Sequence, residues 1–136
     1  ENRLLEPERT SALDLLARKA PDAPALVAVE PTTPVRQAYS LFAAHAISQL
    51  PVLQGGDCVG SLAEGDLMAR IIAEPAVLER AVETVMDAPF PVIDAGAEVS
   101  TLARLLTREN PAVLVRVGGR IAGILTRYDM VHHLTR

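Results

Sequence analysis

The strongest constraint on this chain is a duplication. Residues 55–66 and 118–129 align without a gap, 63 positions apart, and share five of twelve residues: Gly55 with Gly118, Gly56 with Gly119, Gly60 with Gly123, Leu62 with Leu125, and Asp66 with Asp129. Three of the five are glycine, the residue that a tight hairpin or a close backbone approach selects. Such a repeat has to be recognised before any fold is assigned. One copy of about 50 residues buries too little surface to stand alone. Two copies packed sheet to sheet about a pseudo-twofold axis solve that problem.

Around the repeat the chain reads as an α+β protein. Leu26–Val29 and Leu50–Leu53 are short apolar strands, and Gln54–Asp57 is a hairpin turn returning through Cys58–Leu62. Between the first two strands, Val35, Ala38, Phe42 and Ala46 recur at helical spacing, with Thr33 as the expected N-cap and Pro34 at the first helical position. A helix over 65–73 closes the first copy. The second copy repeats the order: strand Phe90–Ile93, helix Val99–Arg108, strand Ala112–Val115, turn Gly118–Gly119, strand Ile121–Leu125, helix Tyr128–Leu134. The expected organisation is a lead-in over 1–24, a first repeat over 25–73, a linker over 74–87 carrying Val82, Val85 and Met86, and a second repeat over 88–136. The lead-in holds a short helix capped by Thr10 or Ser11, with Leu13, Leu16 and Ala20 on one face, Arg18 and Lys19 at its end, and Pro21 and Pro24 stopping it.

Composition excludes several classes. Thirteen Lys and Arg against 17 Asp and Glu leave a net charge of −4, against a protein that tracks nucleic-acid phosphates. The single Cys58 cannot form an intrachain disulfide and fits a reducing compartment, so a cytoplasmic location is expected. No apolar run approaches the roughly 18 residues of a membrane span. With four aromatics only (Tyr39, Phe42, Phe90 and Tyr128) the core must come from Val, Leu, Ile and Ala. The chain opens on Glu1 rather than Met, which suggests a piece of a longer protein.

The residues then point to a family. Ile47–Leu53, Gly55–Gly56 and Val59–Leu62 leading to Asp66 in the first copy resemble a CBS domain, the motif named after cystathionine beta-synthase. So do Ala112–Val115, Gly118–Gly119 and Ala122–Asp129 in the second, where Thr126-Arg127-Tyr128-Asp129 fits the family's Thr-x-x-Asp pattern in full. Val82–Met86 resembles the lead-in that often precedes a copy. The resemblance covers about residues 25–136 and implies two CBS repeats (β-α-β-β-α) with pseudo-twofold symmetry, a Bateman module. More narrowly, Glu109–Val115 is similar to the second CBS copy of cystathionine beta-synthases, and Glu1–Leu5 to the segment leaving their pyridoxal-phosphate domain. That likeness implies a regulatory region of a bacterial cystathionine beta-synthase-like enzyme, itself without catalytic residues.

The Thr126–Asp129 segment has two physical readings. A carboxylate in the first turn of a helix can accept bonds from the vicinal hydroxyls of a ribose, with Thr126 and the free helix-start N–H groups beside it. Thr-x-x-Asp is equally close to a capping box, in which each residue only satisfies the helix end. Arg127, with Arg116 or Arg120, could add positive charge. The resemblance implies an adenosine site joining Thr126, Arg127 and Asp129 with Val29, Thr32, Ile47, Ser48, Gln49, Leu50 and Pro51, in which Ile47 and Leu50 flank the adenine. It implies a mirror site from Asp66, Asn110, Pro111 and Ala112, weak or empty, or open only to an uncharged or cationic ligand, because Ala63 replaces the threonine and Glu64 the basic residue. The implied ligands are S-adenosylmethionine, AMP, ADP or ATP, with no other cofactor and no metal.

Other candidates are poorer. Cys58 reads as a small core residue. His132 and His133 are adjacent, so they point about 100° apart on a helix and make a poor metal pair; both read as surface residues. No Ser-His-Asp or Cys-His constellation is present. The resemblance further implies a homodimer through helices carrying Leu67, Ile71, Ile72, Met130, Val131 and Leu134, and an attached catalytic domain as partner. The competing reading is a structural module that dimerises its parent and binds nothing.

Overall fold

The computed structural model describes residues 10–19 and 26–135. The expectations at Glu1–Leu5, Ala20, Pro21 and Pro24 lie outside the described residues. In chain order the elements are α1 (Ala12–Ala17), α2 (Val35–His45), β1 (Gln49–Gln54), β2 (Asp57–Ala63), α3 (Glu64–Ala73), two 3-10 turns (Pro75–Glu79 and Val82–Thr84), β3 (Val92–Asp94), α4 (Val99–Leu105), β4 (Ala112–Val117), β5 (Arg120–Thr126) and α5 (Arg127–Leu134). Two compact units result. One is Val27–Phe90; the other joins the lead-in, residues 10–19, to residues 91–135.

Each unit carries the same small sheet. In the second, β3 runs parallel to β4, and β4 pairs antiparallel with β5. In the first, β1 pairs antiparallel with β2, and Val29 alone stands where β3 stands in the other unit, in a parallel bridge to Val52. Val29 donates to Pro51 O at 3.1 Å and its carbonyl accepts from Leu53 N at 2.8 Å. The expected strand Leu26–Val29 is thus one bridging residue. Past Val29 the pairing cannot continue, because Thr33 takes both backbone polar groups of Glu30: Glu30 N donates to Thr33 Oγ1 at 3.0 Å, and Thr33 N donates to Glu30 O at 3.0 Å.

The same bonds correct the expected cap. With its hydroxyl committed to Glu30, Thr33 does not cap α2; Pro34 is the N-cap, without a side-chain bond. The Val35 amide is instead satisfied by Arg80 O at 2.9 Å. Val35, Ala38 and Phe42 are buried at helical spacing. The helix ends on Ala46 in the left-handed region (φ 54), where Ile47 N donates to Phe42 O at 3.0 Å. In the second unit α4 stops at Leu105 rather than Arg108. There Thr107 and Asn110 close a loop on each other, Thr107 N to Asn110 O and Asn110 N to Thr107 Oγ1, both at 3.2 Å.

The hairpins match closely. Gly55 and Gly56 have φ of 61° and 88°, Gly118 and Gly119 of 59° and 82°, as a two-residue type I′ turn requires. Both ladders shift register at the same point, Val52/Leu53 and Val115/Arg116. Each sheet buries its own core: Val35, Phe42, Leu50, Val52, Leu62 and Leu67 in one, Leu102, Val113, Val115, Leu125 and Met130 in the other. Cys58 is only half-buried, contrary to expectation, because it lies one residue past the turn where β2 has not yet reached the core.

The duplication extends further than residue identities reveal. Ala12 N donates to Ala97 O and Val82 N to Thr33 O, each at 2.8 Å. Val99 N donates to Thr10 O and Val35 N to Arg80 O, each at 2.9 Å. Ser11 bridges Glu98 as Ala81 bridges Pro34. Residues 10–16 and 80–86 therefore do the same job without sharing one residue, each docked on the helix start of a repeat: the lead-in on the second, the 74–87 segment on the first.

Candidate functional site

Strand β5 delivers Thr126 to the start of α5, and the turn that follows brings Asp129 back over it. The Thr126 amide donates to Asp129 Oδ2 at 2.8 Å, the Thr126 hydroxyl donates to the same oxygen at 3.1 Å, and the Asp129 amide donates to Thr126 Oγ1 at 3.4 Å. This is a capping box, so that reading of the motif holds. It does not exhaust the carboxylate: among the described residues nothing bonds Oδ1, and the Asp129 side chain keeps 13% of its surface open.

A residue read in the sequence only as the basic end of the lead-in helix completes the arrangement. Lys19 Nζ donates to Ile124 O at 2.8 Å and to Asp129 Oδ2 at 3.2 Å. One residue earlier, Arg18 Nη1 donates to His133 Nδ1 at 2.7 Å. Asp129 and His133 stand four apart on α5 and so share a face; the end of the lead-in grips both. His133 is accordingly half-buried, not a plain surface residue, whereas His132 is exposed and stacks on Tyr128 with ring centroids 5.9 Å apart. No local pattern could have exposed the Lys19 contact, since 110 residues separate the partners.

The basic residues fall unevenly. Arg127 is exposed at the first position of α5. Arg116 and Arg120 lie at the hairpin end of β4 and β5, where Val117 pairs with Arg120 and Arg116 with Ile121. Six residues of strand, about 20 Å, separate Arg120 from Thr126, so neither arginine serves this site.

The candidate residues in the Val27–Phe90 unit form a strand edge and a loop. Val29, Leu50 and Pro51 are buried, Ile47 and Gln49 half-buried, Thr32 and Ser48 exposed. The bond from Val29 N to Pro51 O holds two of them together, and Ser48 O accepts from Glu64 N at 3.0 Å, tying the loop to the start of α3. The Leu50 side chain is fully spent in the core, leaving Ile47 as the apolar group with open surface.

The mirror residues are built differently. Ala63 caps α3 without a side-chain bond, and the side chain of Asp66, exposed in the first turn beside Glu64, makes no hydrogen bond or ion pair among the described residues. Asn110 and Pro111 are half-buried and Ala112 is buried opposite Thr126 in the ladder. Among the described residues there is no cluster of three or more metal-ligating side chains and no helix long and apolar enough to cross a membrane.

Comparison with known proteins agrees with this architecture. The family described as CBS domain matches residues 22–73 and 82–136. A solved CBS domain superposes with a TM-score of 0.79 at 23% identity, covering 93% of this chain and 98% of its own. A CBS-domain-containing protein from Agrobacterium tumefaciens gives 0.76 at 27% identity, covering 93% and 94%. The CBS domain of a bacterial CNNM/CorC family Mg2+ transporter, solved in complex with ATP, gives 0.75 at 22% identity, covering 97% and 92%.

Proposed function

The chain belongs to the CBS domain family, as a tandem pair, and from that premise we propose that it is a regulatory module that senses an adenosine ligand through Thr126 and Asp129. The observation that carries this reading is the open Oδ1 of a carboxylate whose other oxygen is already fixed. Held rigid by the capping box, it needs no reorganisation to accept a sugar hydroxyl, and a charge-assisted bond of that kind is of the stronger class. The transporter domain solved with ATP supports an adenine nucleotide as the ligand class. S-adenosylmethionine is the ligand favoured by the likeness of Glu109–Val115 to cystathionine beta-synthases, and a pyridoxal-phosphate enzyme of that kind is the proposed parent. Val29, Thr32, Ile47, Ser48, Gln49 and Pro51 are the ligand contacts proposed for the first repeat, with Leu50 contributing backbone only. Asp66, Asn110, Pro111 and Ala112 are proposed as weaker ligand contacts. The proposed module works in the cytoplasm as a homodimer.

The second reading, a structural module without ligand, is favoured by one observation: the capping box and Lys19 give Asp129 a complete structural role. Titration calorimetry with S-adenosylmethionine, AMP and ATP separates the two. Saturable heat from any of them supports the sensor; silence from all three at millimolar concentration leaves only the structural module.

A further inference from the structure

We propose that Lys19 is a built-in competitor for the ligand carboxylate, so that ligand binding and release of the lead-in are one event. The proposal rests on Asp129 being the ribose-binding group. Three donors converge on its Oδ2: the Thr126 amide, the Thr126 hydroxyl and the Lys19 ammonium. A carboxylate oxygen has about two lone-pair sites, so three donors already crowd Oδ2 and a fourth can enter only in place of one of them. A vicinal diol held by a carboxylate places one hydroxyl on each oxygen. The first can take Oδ1; the second must displace a donor from Oδ2. The two Thr126 donors are built into the cap of α5. Lys19 alone sits on a separate segment and keeps 25% of its side-chain surface exposed, so it is the donor that can leave.

What leaves with Lys19 is mechanically defined. The same stretch seats Leu16 over Gly123 and joins Arg18 to His133. Lys19 holds its end through two acceptors, Ile124 O and Asp129 Oδ2. A diol on Asp129 removes one of them, and by linkage any loosening of the lead-in must in turn favour the diol by the same factor. The site thereby reports occupancy to the segment that precedes the first repeat.

The test titrates adenosine and 2′-deoxyadenosine into the full chain and into Lys19→Met. The uncharged nucleosides remove any attraction between the ammonium and a phosphate. Freeing Oδ2 is expected to tighten adenosine about five- to tenfold, as loss of a competing charge-assisted bond does. The deoxynucleoside, with a single hydroxyl to place on Oδ1, changes less than about twofold by the same reasoning. Saturating adenosine also speeds amide exchange over Ala12–Lys19 in the unsubstituted chain. Lys19→Gln, which keeps a polar tip, guards against a folding defect and shifts the same way. Binding of adenosine to Lys19→Met alone supports the proposal. Equal or weaker adenosine binding by both variants, with binding by the unsubstituted chain intact, overturns the competitor and leaves the sensor standing. No binding of adenosine by any of the three proteins overturns the competitor, and silence of the unsubstituted chain toward S-adenosylmethionine, AMP and ATP as well overturns the sensor with it.

Discussion

Leu16 lies so close over Gly123 that a Cβ at that glycine would overlap its δ-carbons. Met86 stands in the same relation to Gly60, with the Asp87 carbonyl 3.2 Å from where the Cβ would be. Neither glycine has the positive φ that would demand it for conformation; each is there because a docking segment passes over the sheet. Gly60→Ala must move a backbone carbonyl as well as a side chain, so it should cost about 1–3 kcal/mol, the usual range for overpacking. At Gly123 the three nearest atoms all belong to the Leu16 side chain, so Gly123→Ala should cost less. Urea unfolding of both variants measures the difference; equal costs would contradict this reading.

This pair of contacts also shows what was legible in the sequence. The glycines at 60 and 123 announce the repeat because nothing else fits beneath the docking segments, and the I′ turns at 55–56 and 118–119 announce it because both positions need φ above zero. The segments that dock have no such restriction. A serine-capped α-helix and a 3-10 turn fill equivalent places, so residues 10–16 and 80–86 share no residue and read as unrelated linkers. Thr126 and Asp129 were legible because capping is local; Lys19 was not, because its partner is set by the tertiary fold.

Ala46 is the one non-glycine among the described residues with positive φ. A left-handed alanine stores about 1–3 kcal/mol, and glycine would relieve it while losing some entropy in the unfolded chain. Ala46→Gly should therefore stabilise the protein by about 0.5–1 kcal/mol, read as a rise in thermal midpoint.

The cap of α1 is expected to be pH-dependent. The Ser11 amide, then the Ser11 hydroxyl, bond the Asp14 carboxylate and hold its pKa below the ordinary aspartate value. A depressed folded-state pKa contributes stability that is complete above the unfolded value and is lost as pH falls through the folded one. Asp14→Asn should thus be less stable than the unsubstituted chain at neutral pH and converge with it in acid. Denaturant curves across that range test the sign.

Large apolar side chains stand exposed on two helices: Met68 and Ile72 on α3, Tyr128, Val131 and Leu134 on α5, with Ile72 at 72% and Leu134 at 70%. Burying such groups is worth about 1.5–3 kcal/mol each, which favours the proposed homodimer. Sedimentation equilibrium should give a dimer that Ile72→Asp combined with Leu134→Asp converts to monomer.

The most direct measurement compares two carboxylates at equivalent places in the repeats. Calorimetric titration of S-adenosylmethionine, AMP and ATP into Asp129→Ala and Asp66→Ala, each first shown folded by circular dichroism, reads the role of each. Asp129 sits in a capping box with its other oxygen open, whereas Asp66 follows an alanine cap and its side chain bonds nothing among the described residues. The expected result is that Asp129→Ala abolishes the binding heat and Asp66→Ala leaves most of it. Equal losses from the two substitutions, or full binding by folded Asp129→Ala, would contradict the assignment of the ligand to the second repeat's carboxylate.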